Sequence, residues 1–122
     1  MAKTIMIVDD SASLRQVVSI ALKGAGYDVA EACDGKDALG KLTGQKVHLI
    51  ISDVNMPNMD GITFVAELKK NSAYKFTPVI MLTTEAGEAK KQAGQAAGAK
   101  AWVVKPFQPA QMLTAVSKLV LP

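Results

Sequence analysis

The chain has 122 residues, 49% of them hydrophobic and 20% charged, which predicts one ordinary globular domain over residues 1–122, with no second output domain, and excludes a disordered chain. A formal net charge of +3, scattered along the chain, is too mild to argue for nucleic-acid binding. The single cysteine, Cys33, excludes an internal disulfide and suits a reducing cytoplasm, while no apolar run approaches the roughly 18 residues of a membrane span.

The N-terminal stretch MAKTIMIVDD carries one Lys and a short apolar run ending in two acids, unlike a signal peptide. Residues 4–8, TIMIV, read as an apolar strand ending on Asp9-Asp10. Ser11 or Ser13 can cap the next helix. There Leu14, Val17, Val18, Ala21 and Leu22 recur as an amphipathic face, and Gly24 and Gly26 supply the stop. Residues 27–32 read as a second strand. Residues 35–42 form a short helix with Ala38, Leu39 and Leu42 inward, stopped near Gly44. Residues 47–52, interrupted only by His48, read as a third strand buried on both faces, with Asp53 where it meets a polar loop, residues 54–60. His48 lies mid-strand, away from that edge, and is not a catalytic candidate. Residues 62–70 are a helix burying Ile62, Val65 and Leu68 or Phe64. Residues 77–83 are a fourth strand, with Pro78 near its start. Residues 85–97 are helix-compatible but weak. Gly87 and Gly94 each cost about 1 kcal/mol relative to Ala inside a helix, so 87–98 is expected to be the least stable helix and part of any switch. Residues 100–104 are a fifth strand, followed by Lys105-Pro106. Pro109 suits the first turn of a last helix whose face is Met112, Leu113, Val116, Leu119 and Val120.

Five strands alternating with five helices predict an α/β fold, a doubly wound parallel sheet with helices on both faces. The flavodoxin-like order 2-1-3-4-5 places strands one and three side by side at the switch point, where ligands bind. Asp9, Asp10, Asp53, Thr83, Thr84 and Lys105 then share one sheet edge. Three carboxylates at about 4 Å and an effective dielectric near 20 cost roughly 4 kcal/mol per pair, so some are protonated or a cation joins them. Hard oxygen ligands suit Mg²⁺. With a Lys, a hydroxyl and an exposed carboxylate nucleophile, the set has the parts for phosphoryl transfer.

Asp9-Asp10, Asp53, Thr83 and Lys105-Pro106-Phe107 on five βα units resemble the receiver domains of two-component response regulators, most of all the single-domain chemotaxis kind. The resemblance covers essentially the whole chain. It implies Asp53 as phosphoacceptor. It implies Asp10 as a direct Mg²⁺ ligand, Asp9 acting through a bound water, Asp53 within the metal shell and the Asn55 backbone carbonyl completing it, with Mn²⁺ able to substitute. It implies Thr83 as the switch hydroxyl, Lys105 as its partner at the phosphoryl group, and a cis bond between Lys105 and Pro106. Trp102 stands where the family has a Tyr or Phe that switches with Thr83. Asn55 and Glu85 stand at the positions that tune dephosphorylation.

The partners so implied are a histidine kinase, a phosphatase, and a target protein such as a flagellar motor switch. The target would be met by the surface of the fourth helical segment, the fifth strand and the last helix. Neither nucleic acid nor membrane is a partner, and the protein is expected to be a cytoplasmic monomer. It would be a phosphoprotein that catalyses only its own modification, not an enzyme acting on other substrates. Two other classes compete. A metal-dependent aspartyl phosphohydrolase would need a general acid two residues after the nucleophile, where Asn55 stands, and a cap. A flavodoxin-like cofactor binder would need a phosphate-cradling loop where Asp9-Asp10 stands. Within the receiver reading, a phosphate sink or phosphorelay intermediate is the alternative to a motor regulator.

Overall fold

A computed structural model describes residues 3–42, 46–53, 59, 61–71, 74–83, 101–104 and 109–120, with backbone only at 83, 101, 102, 104 and 109. These contain β1 (Thr4–Val8), α1 (Ala12–Gly24), β2 (Asp28–Ala32), α2 (Gly35–Lys41), β3 (Leu49–Asp53), α3 (Gly61–Lys69), β4 (Val79–Thr83), β5 (Ala101–Val104) and α4 (Pro109–Leu119). The helix expected within 85–97 lies outside the described residues, as do Asn55, Glu85, Lys105 and Pro106.

All five strands run parallel in the order β2-β1-β3-β4-β5, the expected doubly wound arrangement. The two-residue period of each strand builds two cores. Met6, Val8, Ile50, Val79 and Met81 face Ala38 of α2 and Phe64, Val65 and Leu68 of α3. Ile5, Ile7, Leu49, Ile51, Ile80 and Leu82 face Val18 and Leu22 of α1 and Met112 and Val116 of α4. β3 is buried at every position, as a central parallel strand must be when helices cover both faces.

Ser11, not Ser13, caps α1: its Oγ accepts the Leu14 N–H at 3.2 Å. The helix stops on Gly26 at φ 96°, with Gly26 N–H donating to the Lys23 carbonyl and Tyr27 N–H to that of Leu22. That is a Schellman closure, which needs a left-handed residue at this point. Two sequence expectations are corrected here. Val17 does not join the buried face of α1 but is 52% exposed, because the buried stripe runs through Val18, Ser19 and Leu22. His48 is not mid-strand; it precedes β3 and is half-buried. Its backbone N–H donates to the Thr4 carbonyl and its Nδ1 accepts the Thr4 N–H at 3.0 Å, which fastens the sheet at the end away from Asp53.

β1 is followed by α1 on one sheet face and β3 by α3 on the other. The chain therefore diverges just beyond the carboxyl ends of these adjacent strands and leaves a crevice between them.

Candidate functional site

β1 and β3 pair with Val8 opposite Ser52, so Asp9 and Asp53, the next residues of each, emerge side by side at the crevice. Each of Asp9, Asp10 and Asp53 offers a carboxylate oxygen within 4.8 Å of the others. Asp9 is fully buried, Asp53 nearly so and Asp10 exposed. Among the three acids, Asp10 is the one exposed to solvent.

The backbone holds each buried acid in place. Asp9 extends the β1–β2 ladder by one rung, its N–H donating to the Ala32 carbonyl at 3.1 Å. Its Oδ1 accepts the Ser11 N–H at 2.8 Å, so the residue that caps α1 also orients the acid before it. At Asp53, the buried Ser52 hydroxyl donates to the Asp53 carbonyl at 3.0 Å. Gly61, first residue of α3, comes so close to that carbonyl that a Cβ would sit 2.0 Å from its oxygen. Met59 packs over Gly35 at the start of α2 and joins the core on that face.

Three hard oxygen donors converging on one point, two of them withdrawn from water, fit a divalent cation such as Mg²⁺ or Mn²⁺. Buried like charges need a compensating partner, and the exposed Asp10 side leaves an entry for water and a phosphoryl oxygen.

The family profile of the response regulator receiver domain matches residues 5–117. The chain belongs to that family. This receiver domain is 39% identical to Protein PilG of Pseudomonas aeruginosa over 112 residues, covering 92% of this chain and 83% of PilG. It is 38% identical to chemotaxis protein CheY1 of Helicobacter pylori over 119 residues, covering 96% of this chain and 95% of CheY1. Among solved structures, chemotaxis protein CheY4 of Vibrio cholerae superposes with a TM-score of 0.93 at 48% identity, covering 98% of this chain and 99% of CheY4. Two-component signalling with chemotaxis-type relatives, in a flavodoxin-like receiver fold, is therefore the setting of this domain.

Of the remaining sequence candidates, Thr83 ends β4, with its backbone paired to Val104 at the carboxyl end of β5, the same sheet edge as the acids. Trp102 lies in β5, paired to Met81. Cys33 is exposed, and desolvation, then Asp37 and Asp34, push its thiol pKa up, which suits a bystander rather than a nucleophile.

Sequence reasoning did not pick out Arg15. Its Nη1 donates to the Asp9 carbonyl at 2.5 Å and its Nε to Glu31 Oε1 at 3.3 Å. Nothing local distinguishes an arginine in the first turns of an amphipathic helix from a solvated one. Arg15 stands six residues after Asp9 and about one turn into α1.

Proposed function

We propose that this receiver takes a phosphoryl group from the phosphohistidine of a kinase onto Asp53 and that the modified form changes its affinity for a target protein. The observation that carries this reading is the convergence of Asp9, Asp10 and Asp53 at the open switch point, on a chain of the receiver family. An Asp53 carboxylate oxygen attacks phosphorus, the new O–P bond forms, and the P–N bond breaks with its electron pair returning to the imidazole, which takes up a proton. Asp9, Asp10 and Asp53, with the Asn55 carbonyl, would hold Mg²⁺, which supplies charge neutralisation at the phosphoryl oxygens. Lys105 supplies a second positive charge, and Thr83 a hydrogen bond that draws it toward the phosphoryl group. Water later cleaves the acyl phosphate, with Asn55 and Glu85 setting the rate. Thr83 then couples the site to Trp102 and to the face formed by residues 85–97, β5 and α4. The chemotaxis names of the CheY1 and CheY4 relatives favour a flagellar motor target.

Intact mass after acetyl phosphate and Mg²⁺ tests the reading. One added phosphoryl group is expected, absent with EDTA and absent in Asp53→Asn, with a parallel change in Trp102 fluorescence. Unchanged mass in the wild type would refute the acceptor role, and steady turnover of small phosphate esters would favour the phosphohydrolase class instead.

A further inference from the structure

The Arg15 guanidinium bridges the end of β1 and the β2 strand beside the acid cluster. Nη1 donates to the backbone carbonyl of Asp9, and Nε pairs with the Glu31 carboxylate on β2. The Arg15 side chain is only 19% exposed, against 44% for Glu31. The anchor on β2 is itself held. Lys41 Nζ donates to the Glu31 carbonyl at 2.9 Å, Asp37 Oδ2 accepts the Cys33 N–H at 3.0 Å, and Lys41 and Asp37 pair at 3.1 Å.

We propose that Arg15 is a positioning residue for the acid cluster: it fixes the Asp9 carbonyl against β2, so that the Asp9 carboxylate is held in register for a divalent cation. The proposal rests on reading the cluster as a cation site. An isolated, solvated Arg–Glu pair contributes little, and its charge alone would act in the opposite sense, since a cation beside the cluster repels Mg²⁺. Glu31 offsets that charge, which leaves geometry as the net effect. A planar fork can hold a carbonyl and a carboxylate at once through two of its nitrogens, whereas a lysine ammonium on a flexible stem cannot hold both in the same fixed geometry.

Asp9 is thereby held through its N–H by Ala32, through its carboxylate by the Ser11 N–H, and through its carbonyl by Arg15, among its contacts. The first two belong to β1–β2 pairing and to the start of α1. Arg15 ties Asp9 to a side chain on another strand, Glu31 of β2. Groups that orient a metal ligand from behind commonly change affinity by about 10- to 100-fold when removed.

The test is calorimetric titration of the full chain with Mg²⁺ for wild type, Arg15→Lys and Arg15→Gln, with metal-free urea unfolding of each. The expected result is an affinity loss of about tenfold in both variants, including the lysine variant that keeps the charge. Wild-type affinity in Arg15→Lys with tighter binding in Arg15→Gln would show an effect of charge and overturn the proposal. Lowered unfolding midpoints with unchanged affinity would show a merely structural arginine and overturn it too. A wild type that binds no Mg²⁺ would instead remove the cation-site reading on which the proposal stands.

Discussion

A methyl group on Gly61 would lie 2.0 Å from the Asp53 carbonyl oxygen and 2.9 Å from Met81 Cε. The methionine can move, but the β3 backbone cannot do so without shifting Asp53. Gly61→Ala is therefore expected to cost about 1–3 kcal/mol by overpacking, read as a lower urea midpoint, and to slow labelling by acetyl phosphate. Gly24 has nothing within 4 Å of its would-be Cβ, so Gly24→Ala is expected to be neutral or to stabilise by up to about 1 kcal/mol. At the other end of the sheet, burial first and then the charges of Lys3 and Lys46 lower the His48 pKa. The Thr4 N–H bond to Nδ1 is likewise open only to the neutral ring. Because the folded pKa is depressed, the unfolded chain binds the proton more readily. The His48 contribution is complete above the ordinary histidine value of about 6.5 and is lost as pH falls from there toward the folded pKa. Urea unfolding should show wild type losing stability relative to His48→Gln between about pH 7 and pH 5; parallel curves would remove His48 from the pH dependence.

At the scale of the elements, two helices start on side-chain caps of different burial. Ser11 is exposed and accepts the Leu14 N–H at 3.2 Å. Asp34 is 6% exposed and accepts the Asp37 N–H at 2.7 Å. Losing a cap costs about 0.5–2 kcal/mol, and more where the orphaned N–H is shielded from water. Asp34→Ala is expected at the upper end of that range and Ser11→Ala near the middle, as ordered by urea midpoints. Ser11→Ala leaves the bond from Ser11 N–H to Asp9 in place, since that donor is backbone. The order and type of the described elements were legible in the sequence because a two- or 3.6-residue period is a local property. The apolar side of α1 was legible only in part. Val17 and Val18 both fit a helical stripe, and the sheet beneath decides which of them it covers. The low stability expected of 87–98 concerns residues outside those described.

Across the whole molecule, crowding three carboxylates at one sheet edge trades stability for a site. Their mutual repulsion without metal is on the order of a few kcal/mol. A ligand that binds only the folded state stabilises it by mass action, about 2.7 kcal/mol at a hundred times its dissociation constant. Asp10→Asn should therefore melt above wild type in EDTA and below it in saturating Mg²⁺. The same order of melting in both conditions would count against the acid cluster as a cation site.

The composition of this site, a pair of acids after one strand and a third after another, was readable from the chain because buried parallel strands announce themselves as apolar runs and polar residues mark their ends. Strand alternation then leaves few topologies, and the order β2-β1-β3-β4-β5 follows from them. The supports behind the acids were not readable. Arg15 meets Asp9 and Glu31, and Gly61 meets Asp53, through approaches set by how α1 and α3 lie on the sheet. No local period encodes those approaches; they exist only once side-chain packing has fixed the distance between elements.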